Sequence, residues 1–272
     1  MPGKFRSYGQ LDDPIAEDGD LGFLGIDQFS DPTTLKPGFL QNAENVRIET
    51  GQVATRKGLK HYPLSEPGAL SMGRFSDPAG EDYVAIVFPT KVLFWSTSVL
   101  REVALPVTIA SHENPRVLQL FGKVVIFRAG QRPLEFDGDF AVAAPAFTAK
   151  STSSPGAGLI ACPNAGFGVY FRNRLIVPNP DDSPTTIILS DIFDDNTFLR
   201  TDGEFFLNKG TSDETRAIIP YLEDQLLCMN RRSIHILNNL TNPTSANTYE
   251  ITRQFGIIGP EAWAQSGAYT YF

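Results

Sequence analysis

The sequence has few of the residues that most often mark catalytic or metal-binding proteins. Two cysteines and three histidines occur among 272 residues, and no metal-ligand spacing, phosphate-binding glycine loop or Gly-x-Ser-x-Gly pattern is present. Cys162 and Cys228 lie far apart, which favours two small buried apolar side chains over a disulfide. We therefore expect no enzymatic activity and no cofactor.

Basic residues and long apolar runs are also scarce. The chain has 23 Lys and Arg against 31 Asp and Glu, a net charge of −8. This charge argues against a surface that grips nucleic acid, although DNA could slide past such a surface. No apolar run approaches the roughly 18 residues of a membrane span, and the first residues lack the apolar core of a signal peptide. We expect neither membrane insertion nor secretion by that route.

Turn formers and aromatic residues are abundant instead. The chain has 23 Gly, 20 Pro and 20 Phe, which is typical of short strands joined by tight loops. Residues 217–222, 225–229 and 233–237 are three apolar runs, and the polar pair Asn230-Arg231 separates the last two. This pattern predicts an up-down-up β meander.

Similar strand pairs recur along the chain. The residues just before the second strand of each pair are Lys91, Lys123, Arg174, Gln225 and Ala268. They are separated by 32, 51, 51 and 43 positions, a mean of about 44. Such a repeat predicts an all-β fold, a β-propeller whose three- or four-stranded blades bury their faces against one another. An irregular β-sandwich is the alternative.

Three regions are predicted along the chain. Residues 1–22 are acidic and lack periodicity, which indicates an extended arm, either disordered alone or ordered against a neighbour. Residues 23–80 include a predicted hairpin around Thr50-Gly51, with strands at 45–50 and 52–56. Residues 81–272 are predicted to form the blades. Because the chain stops inside an apparent second strand, we expect either a longer natural chain or a neighbouring subunit that completes the blade.

Residues 191–197 form the most polar cluster, with three Asp and one Asn. Their oxygen atoms could hold a hard cation near Asp191 to Asp195, although the spacing differs from that of an EF-hand. Asx-type turns are the alternative interpretation of an Asp-rich segment that follows a strand.

Arg231 and Arg232 lie at the turn of the clearest meander. They are candidates for contact with a neighbouring subunit, and ordinary solvated turn residues are the alternative. His235 lies in the middle of a predicted strand, between Ile234 and Ile236. It is interpreted as a solvent-facing or capped strand residue rather than a catalytic one.

Two regions resemble tail proteins of tailed bacteriophages. Residues 25–62 begin with a short segment led by a glycine, and a hairpin follows it. Asn45, Gly51, Arg56 and Gly58 occupy the positions typical of those proteins. Residues 171–198 and 211–237 are similar to propeller blades of phage tail proteins, with an Arg-Leu strand, a Ser-Asp turn, a Leu-rich strand and a Ser-Ile strand. Residues 255–272 resemble the start of the next blade.

The chain is most similar in function to the tail nozzle family of short-tailed phages, also called tail tubular protein B. This resemblance implies a structural virion protein that assembles in the host cytoplasm as a homo-oligomeric, hexameric ring. Its partners would be the portal and adaptor and the tail fibre proteins, and DNA would leave the capsid through its lumen without specific binding. An acidic lumen would repel the DNA phosphates. The chain is far shorter than a full nozzle protein.

Two other functions fit a propeller. A tail fibre or propeller module that binds a host-surface glycan would place Trp95, Trp263 or tyrosines together at one end of the blades, beside polar loops. A glycoside hydrolase would need carboxylates that converge in a central pocket, and the pair Asp137 and Asp139 lies on a turn with no sign of one.

Overall fold

The computed structural model describes residues 66–96, 99–266 and 269–272, together with four short strands among the first 65 residues. It divides into two compact units, Met1–Ser65 and Glu66–Phe272. The predicted arm at residues 1–22 lies outside the described residues. In the part of the chain that is described, no helix has the length and apolar character of a membrane span.

The first unit contains two pairs of short strands. Strand β1 (Gly25–Ile26) pairs in parallel with β2 (Phe39–Leu40). Strands β3 (Val46–Glu49) and β4 (Gln52–Thr55) form an antiparallel hairpin in which Glu49 is opposite Gln52. This confirms the predicted hairpin, whose side chains lie outside the described part of the structure.

The second unit contains four consecutive four-stranded sheets, which we call blades 1 to 4. Blade 1 consists of β5 (Ser71–Ser76), β6 (Asp82–Val87), β7 (Lys91–Trp95) and β8 (Leu100–Ala104). Blade 2 consists of β9 (Arg116–Leu120), β10 (Lys123–Arg128), β11 (Gln131–Phe136) and β12 (Thr148–Ala149). Within each blade, neighbouring strands are antiparallel and follow the order of the chain.

Blades 3 and 4 repeat this plan with small additions. Blade 3 consists of β14 (Val169–Phe171), β15 (Arg174–Pro178), β16 (Thr186–Leu189) and β18 (Glu204–Phe206). Strands β13 (Leu159–Ile160) and β17 (Phe198–Leu199) form a separate pair beside it. Blade 4 consists of β19 (Thr215–Leu222), β20 (Gln225–Asn230), β21 (Ile234–Asn238) and β22 (Asn247–Thr252). A hairpin of β23 (Ala264–Ser266) and β24 (Tyr269–Tyr271) follows.

This architecture is all-β and has the blades of a β-propeller, as the repeat predicts. Short turns connect the strands. Phe121 and Gly122 join β9 to β10 with φ values of 49° and 76°, and Arg172 and Asn173 join β14 to β15 with 52° and 58°. Two successive residues with positive φ make the type of turn that matches the twist of a hairpin.

Alternate side chains of the second strand in a blade face opposite neighbours. In β10, Val124 and Ile126 belong to the apolar cluster between blades 1 and 2. Val125 and Phe127 belong to the cluster between blades 2 and 3. Burying each of these side chains stabilises the fold by about 1.5–3 kcal/mol. A strand buried on both faces therefore holds two neighbouring blades at once.

Phenylalanine fills the space between blades 1 and 2, where five rings meet: Phe75, Phe94, Phe136, Phe140 and Phe147. The centroids of Phe94 and Phe140 are 5.1 Å apart at an interplanar angle of 73°. Edge-on contacts of this kind add to the burial of the rings. Part of the phenylalanine content of the chain is thus explained by one interface between blades.

The blades begin earlier in the chain than the sequence predicts. Strand β5 begins at Ser71, inside the range 23–80 that is predicted to be the N-terminal hairpin region. The burial of β5 alternates only weakly, and Met72 and Arg74 are exposed. A strand with one polar face and a glycine in its middle produces little periodic signal.

Candidate functional site

The β20–β21 turn places Arg231 and Arg232 side by side on the surface of blade 4, and both side chains are exposed. The turn forms because two apolar strands flank a short polar segment. Its backbone is closed by the Asn230 N–H, which donates to the Ser233 carbonyl oxygen at 2.8 Å. The predicted role of the two arginines in subunit contact stays a prediction.

A buried polar network lies beneath this turn. The Asp213 carboxylate accepts hydrogen bonds from the Arg232 N–H at 2.8 Å and from the Ser233 hydroxyl at 2.6 Å. The Ser233 oxygen also lies 3.0 Å from His235 Nε2 and 3.1 Å from Asn230 Nδ2. Because the single hydroxyl proton goes to Asp213, the serine oxygen accepts from both nitrogens, which assigns the proton of His235 to Nε2.

His235 is therefore a buried member of a hydrogen-bond network, and the solvent-facing alternative is wrong. Only 2% of its surface is exposed, and burial lowers the pKa of the imidazole below its ordinary value. In a serine nucleophile of the triad type, the hydroxyl proton points at the histidine. Here the Ser233 proton points at Asp213, His235 donates to the serine oxygen and Ser233 is buried, so the hydrogen bonds of these three residues hold the turn in place.

Beside the turn lies a cavity of about 320 Å³. Its lining comes from three segments: Asn208, Thr211, Ser212 and Asp213; Arg231, Arg232 and Ser233; and Arg253. Arg253 pairs with Glu250, with Nε–O distances of 2.7 and 2.6 Å. Arg231 and Arg232 have no ion-pair partner among the residues that the structure describes. The cavity therefore presents positive charge on an acidic protein.

The sequence pattern points to two of the three arginines at this cavity and to none of the other residues that form it. Arg253 follows β22, a short strand with two large apolar residues, and Asp213 and Thr211 come from the loop before β19. These residues are far apart in the sequence and share no motif. The topology of blade 4 brings them together.

A second cavity, of about 310 Å³, lies beside residues 160–163 and 179–182. Its charged side chains have hydrogen-bond or ion-pair partners within the protein. Arg132 donates to the carbonyl oxygens of Ser151 and Cys162, and Arg200 lies 3.6 Å from Asp182. Burial raises the pKa of the Cys162 thiol to about 12, so the sulfur is not a thiolate. Cys162 and Cys228 are both free and buried, as predicted.

The ammonium groups of Lys150 and Lys123 contact the Asp-rich segment 191–197. Lys150 Nζ contacts carboxylate oxygens of Asp195 and Glu135 and lies 3.1 Å from Asn196 Oδ1. Lys123 Nζ lies 3.4 Å from Asp195 and 2.9 Å from Glu135. Burial alone would raise the pKa of Asp195, but the charges of Lys150 and Lys123 and the hydrogen bond from Lys150 lower it to about 2.

The other two aspartates of this segment make turns. Asp191 accepts from the Ile192 N–H at 2.7 Å, and Asp194 accepts from the Asn196 N–H at 2.8 Å. The Asx-turn interpretation describes Asp194, which accepts from the residue two positions later, whereas Asp191 accepts from the next residue. Among the described residues, no group of three or more His, Cys, Asp or Glu has the arrangement of a metal site.

The aromatic and acidic candidates lie in separate places. Trp263 packs against the apolar cluster of blade 4 and donates to the Pro260 carbonyl oxygen at 2.8 Å. Trp95 lies in β7 of blade 1 and is half-buried. Asp137 and Asp139 each accept a backbone N–H two residues later, at 3.0 and 2.7 Å. These contacts of Trp263, Asp137 and Asp139 serve the fold.

No protein-family model matches the chain, and no curated protein matches it in sequence. Solved structures with a similar backbone include a catalytically inactive virginiamycin B lyase from Staphylococcus aureus with quinupristin. It is 15% identical with a TM-score of 0.45, over 73% of this chain and 61% of that one.

Two further solved structures are similar at lower identity. A complex of S. cerevisiae Dbp5 with Nup159, Gle1, IP6 and ADP is 11% identical with a TM-score of 0.43, over 73% of this chain and 52% of the other. The Cps50 (Swd1) β-propeller domain of Myceliophteria thermophila is 9% identical with a TM-score of 0.37, over 76% and 79%. The chain spans 61% and 52% of the first two proteins, and similarity at this level carries no inference about function.

Proposed function

We propose that the chain is a structural protein that assembles with copies of itself, as a ring component of a short-tailed phage tail. The observation that carries the assembly part of this proposal is the exposed apolar surface at the outer strand of blade 4 and the segment after it. Tyr249, Ile251 and Phe255 are each more than half exposed, and Ile258 is 88% exposed. A soluble protein seldom leaves such a concentration of large apolar side chains in water unless a partner covers it.

The segment 249–272 also has the composition of a protein interface. It contains six aromatic residues and one arginine, and it lacks lysine. Aromatic residues and arginine are enriched in the centre of interfaces, whereas lysine is depleted there. Ile257 and Trp263 fix the segment to the apolar cluster of blade 4, and the rings of Phe255 and Phe272 stack with centroids 6.3 Å apart.

Charge permits a second copy of the chain as the partner at this surface. Two proteins that each carry a charge of −8 repel one another over most of their surfaces. A contact between copies therefore needs a face where acidic groups are few. The segment 249–272 contains two acidic residues, and Glu250, one of them, is paired with Arg253.

The tail-nozzle role itself rests on the resemblance to phage tail proteins. The segments that carry this resemblance in the sequence include the hairpin β3–β4 and the strands β14–β15 and β20–β21. On this proposal the copies form a ring, hexameric in the family, below the portal and adaptor. Tail fibre proteins bind outside it, and DNA passes the acidic lumen without specific contacts.

Sedimentation velocity over a range of protein concentrations tests the assembly. We expect a large species in the wild type, and we expect Ile251→Asp to shift the protein toward the monomer because it charges the apolar surface. Leu100→Asp is the matched control, since Leu100 lies on the outer strand of blade 1 and is equally exposed, at 54%. A monomer at every concentration, or equal effects of the two variants, would exclude this surface as the contact.

A further inference from the structure

Two unpaired arginines stand out on a surface where acidic groups are in excess. Arg231 and Arg232 are adjacent and exposed, and in the described structure neither side chain has an ion pair or a hydrogen bond. By contrast, the exposed Arg74 lies 3.1 Å from an Asp82 oxygen, and Arg172 lies 3.4 Å from Glu223. Both arginines line the same cavity, so an anion bound there would be attracted by two cationic side chains.

The backbone that carries these arginines is held in place before any ligand binds. The Arg232 N–H donates to Asp213 at 2.8 Å, and the Arg231 N–H donates to the Glu214 carbonyl oxygen at 3.1 Å. From the other side, the Ile257 N–H donates to the Asn230 carbonyl oxygen at 2.9 Å. A site fixed in this way loses little conformational entropy on binding.

The rest of the lining presents hydrogen-bond donors to the cavity. Arg253 supplies a third guanidinium, whose Nε is engaged by Glu250. Asn208 supplies an amide and Ser212 a hydroxyl group, whereas the Thr211 hydroxyl already donates to the Asn208 carbonyl oxygen. Asp213 is also in the lining, but both of its oxygens already accept hydrogen bonds from the turn and the residue is buried. The planar guanidinium group of arginine can donate two parallel hydrogen bonds to two oxygens of a phosphate group, which can accept from several donors at once.

We infer that this cavity binds a small molecule that carries a phosphate-type oxyanion. Its volume of about 320 Å³ exceeds the space that a bare ion occupies. It falls at the lower end of the roughly 300–1,000 Å³ of small-molecule sites. The inference concerns the single chain and does not depend on the proposed assembly.

Calorimetric titration at constant ionic strength tests the site, with inorganic phosphate, pyrophosphate and glucose 6-phosphate as probes and chloride and glucose as controls. We expect saturable binding of all three phosphates. Pyrophosphate should bind more tightly than phosphate because it offers oxygens to more of the arginines. Glucose 6-phosphate that binds more tightly than phosphate would identify a phosphorylated small molecule as the ligand, whereas equal affinity would reduce the inference to a site for free phosphate.

Variants at the turn complete the test. Arg231→Gln and Arg232→Gln should each weaken pyrophosphate binding about 10- to 100-fold, the effect of losing a charge-assisted hydrogen bond. Arg74→Gln removes an exposed arginine elsewhere and should leave the affinity unchanged. The same titration on Ile251→Asp separates anion binding from assembly. Absence of binding, or equal binding by the double variant Arg231→Gln/Arg232→Gln and the wild type, would overturn the inference.

Discussion

The ammonium group of Lys150 lies at the centre of the charge network between blades 2 and 3, and its replacement should destabilise the protein strongly. The Lys150 side chain is fully buried and contacts carboxylates of Asp195 and Glu135, which are 4% and 17% exposed. Lys150→Met keeps the length of the side chain but removes the charge. Removing one partner from a buried ion pair costs about 3–5 kcal/mol, because the remaining charge is left in a poorly solvated site.

Urea denaturation at pH 7 measures this loss. We expect the free energy of unfolding to fall by about 3–5 kcal/mol, out of the roughly 5–15 kcal/mol that is usual for a domain. The double variant Lys150→Met/Asp195→Asn should recover part of the loss, because it removes a carboxylate that has lost its partner. Arg74→Met breaks an exposed pair and should leave the midpoint unchanged.

The charge network around Lys150 also predicts how the stability of the protein changes at low pH. The folded-state pKa of Asp195 is lowered from 3.8 to about 2, so the network contributes stability above pH 3.8 and loses it as the pH falls through about 2. Lys150→Met removes one of the two positive charges that lower the pKa of Asp195 against the effect of burial. The stability should therefore begin to fall at a higher pH. If Lys150→Met is as stable as the wild type, or if the double variant recovers nothing, the network does not join the two blades.

Two other perturbations test the packing against the β20–β21 turn and the hydrogen bonds that hold this turn in place. A Cβ atom at Gly256 would lie 2.7 Å from the Arg231 carbonyl carbon, so Gly256→Ala should cost about 1–3 kcal/mol in urea denaturation. Gly259→Ala meets nothing within 4 Å and should change little, and equal effects would contradict the tight packing. Burial lowers the pKa of His235, so the folded state resists protonation while the unfolded state gains a proton below about pH 6.5. Stability should therefore fall below that pH, and His235→Gln, which keeps an N–H donor for Ser233, should show less of this fall; identical pH profiles would contradict the assignment.

The blades can be predicted from the sequence where a strand is buried on both faces. Strand β10 is a run of five buried residues after Lys123, and β15 is buried throughout, so apolar residues follow one another and produce a strong signal. The outer strands behave differently. Most of β22 is exposed. Its two large apolar residues, Tyr249 and Ile251, alternate with polar residues but are themselves more than half exposed, so the strand produces only a short signal. The fourth strand of each blade therefore escapes prediction.

The candidate sites can likewise be predicted only where their residues lie close together in the sequence. The position of Arg231 and Arg232 follows from the turn between two apolar strands, which is local in the sequence. The partner of Asp195 does not follow in this way, since Lys150 lies 45 residues earlier and comes from another blade. The sequence shows a group of carboxylates and suggests a cation, whereas the fold supplies that positive charge from lysine side chains.

Cryo-electron microscopy of the purified full chain, together with proteomic analysis of phage particles, tests the proposed function most directly. We predict closed rings of identical subunits, with the outer strand of blade 4 and the segment 249–272 at the contact between copies, and we predict the chain among the tail proteins of the particles. A protein that stays monomeric at high concentration and is missing from the particles would contradict the proposal.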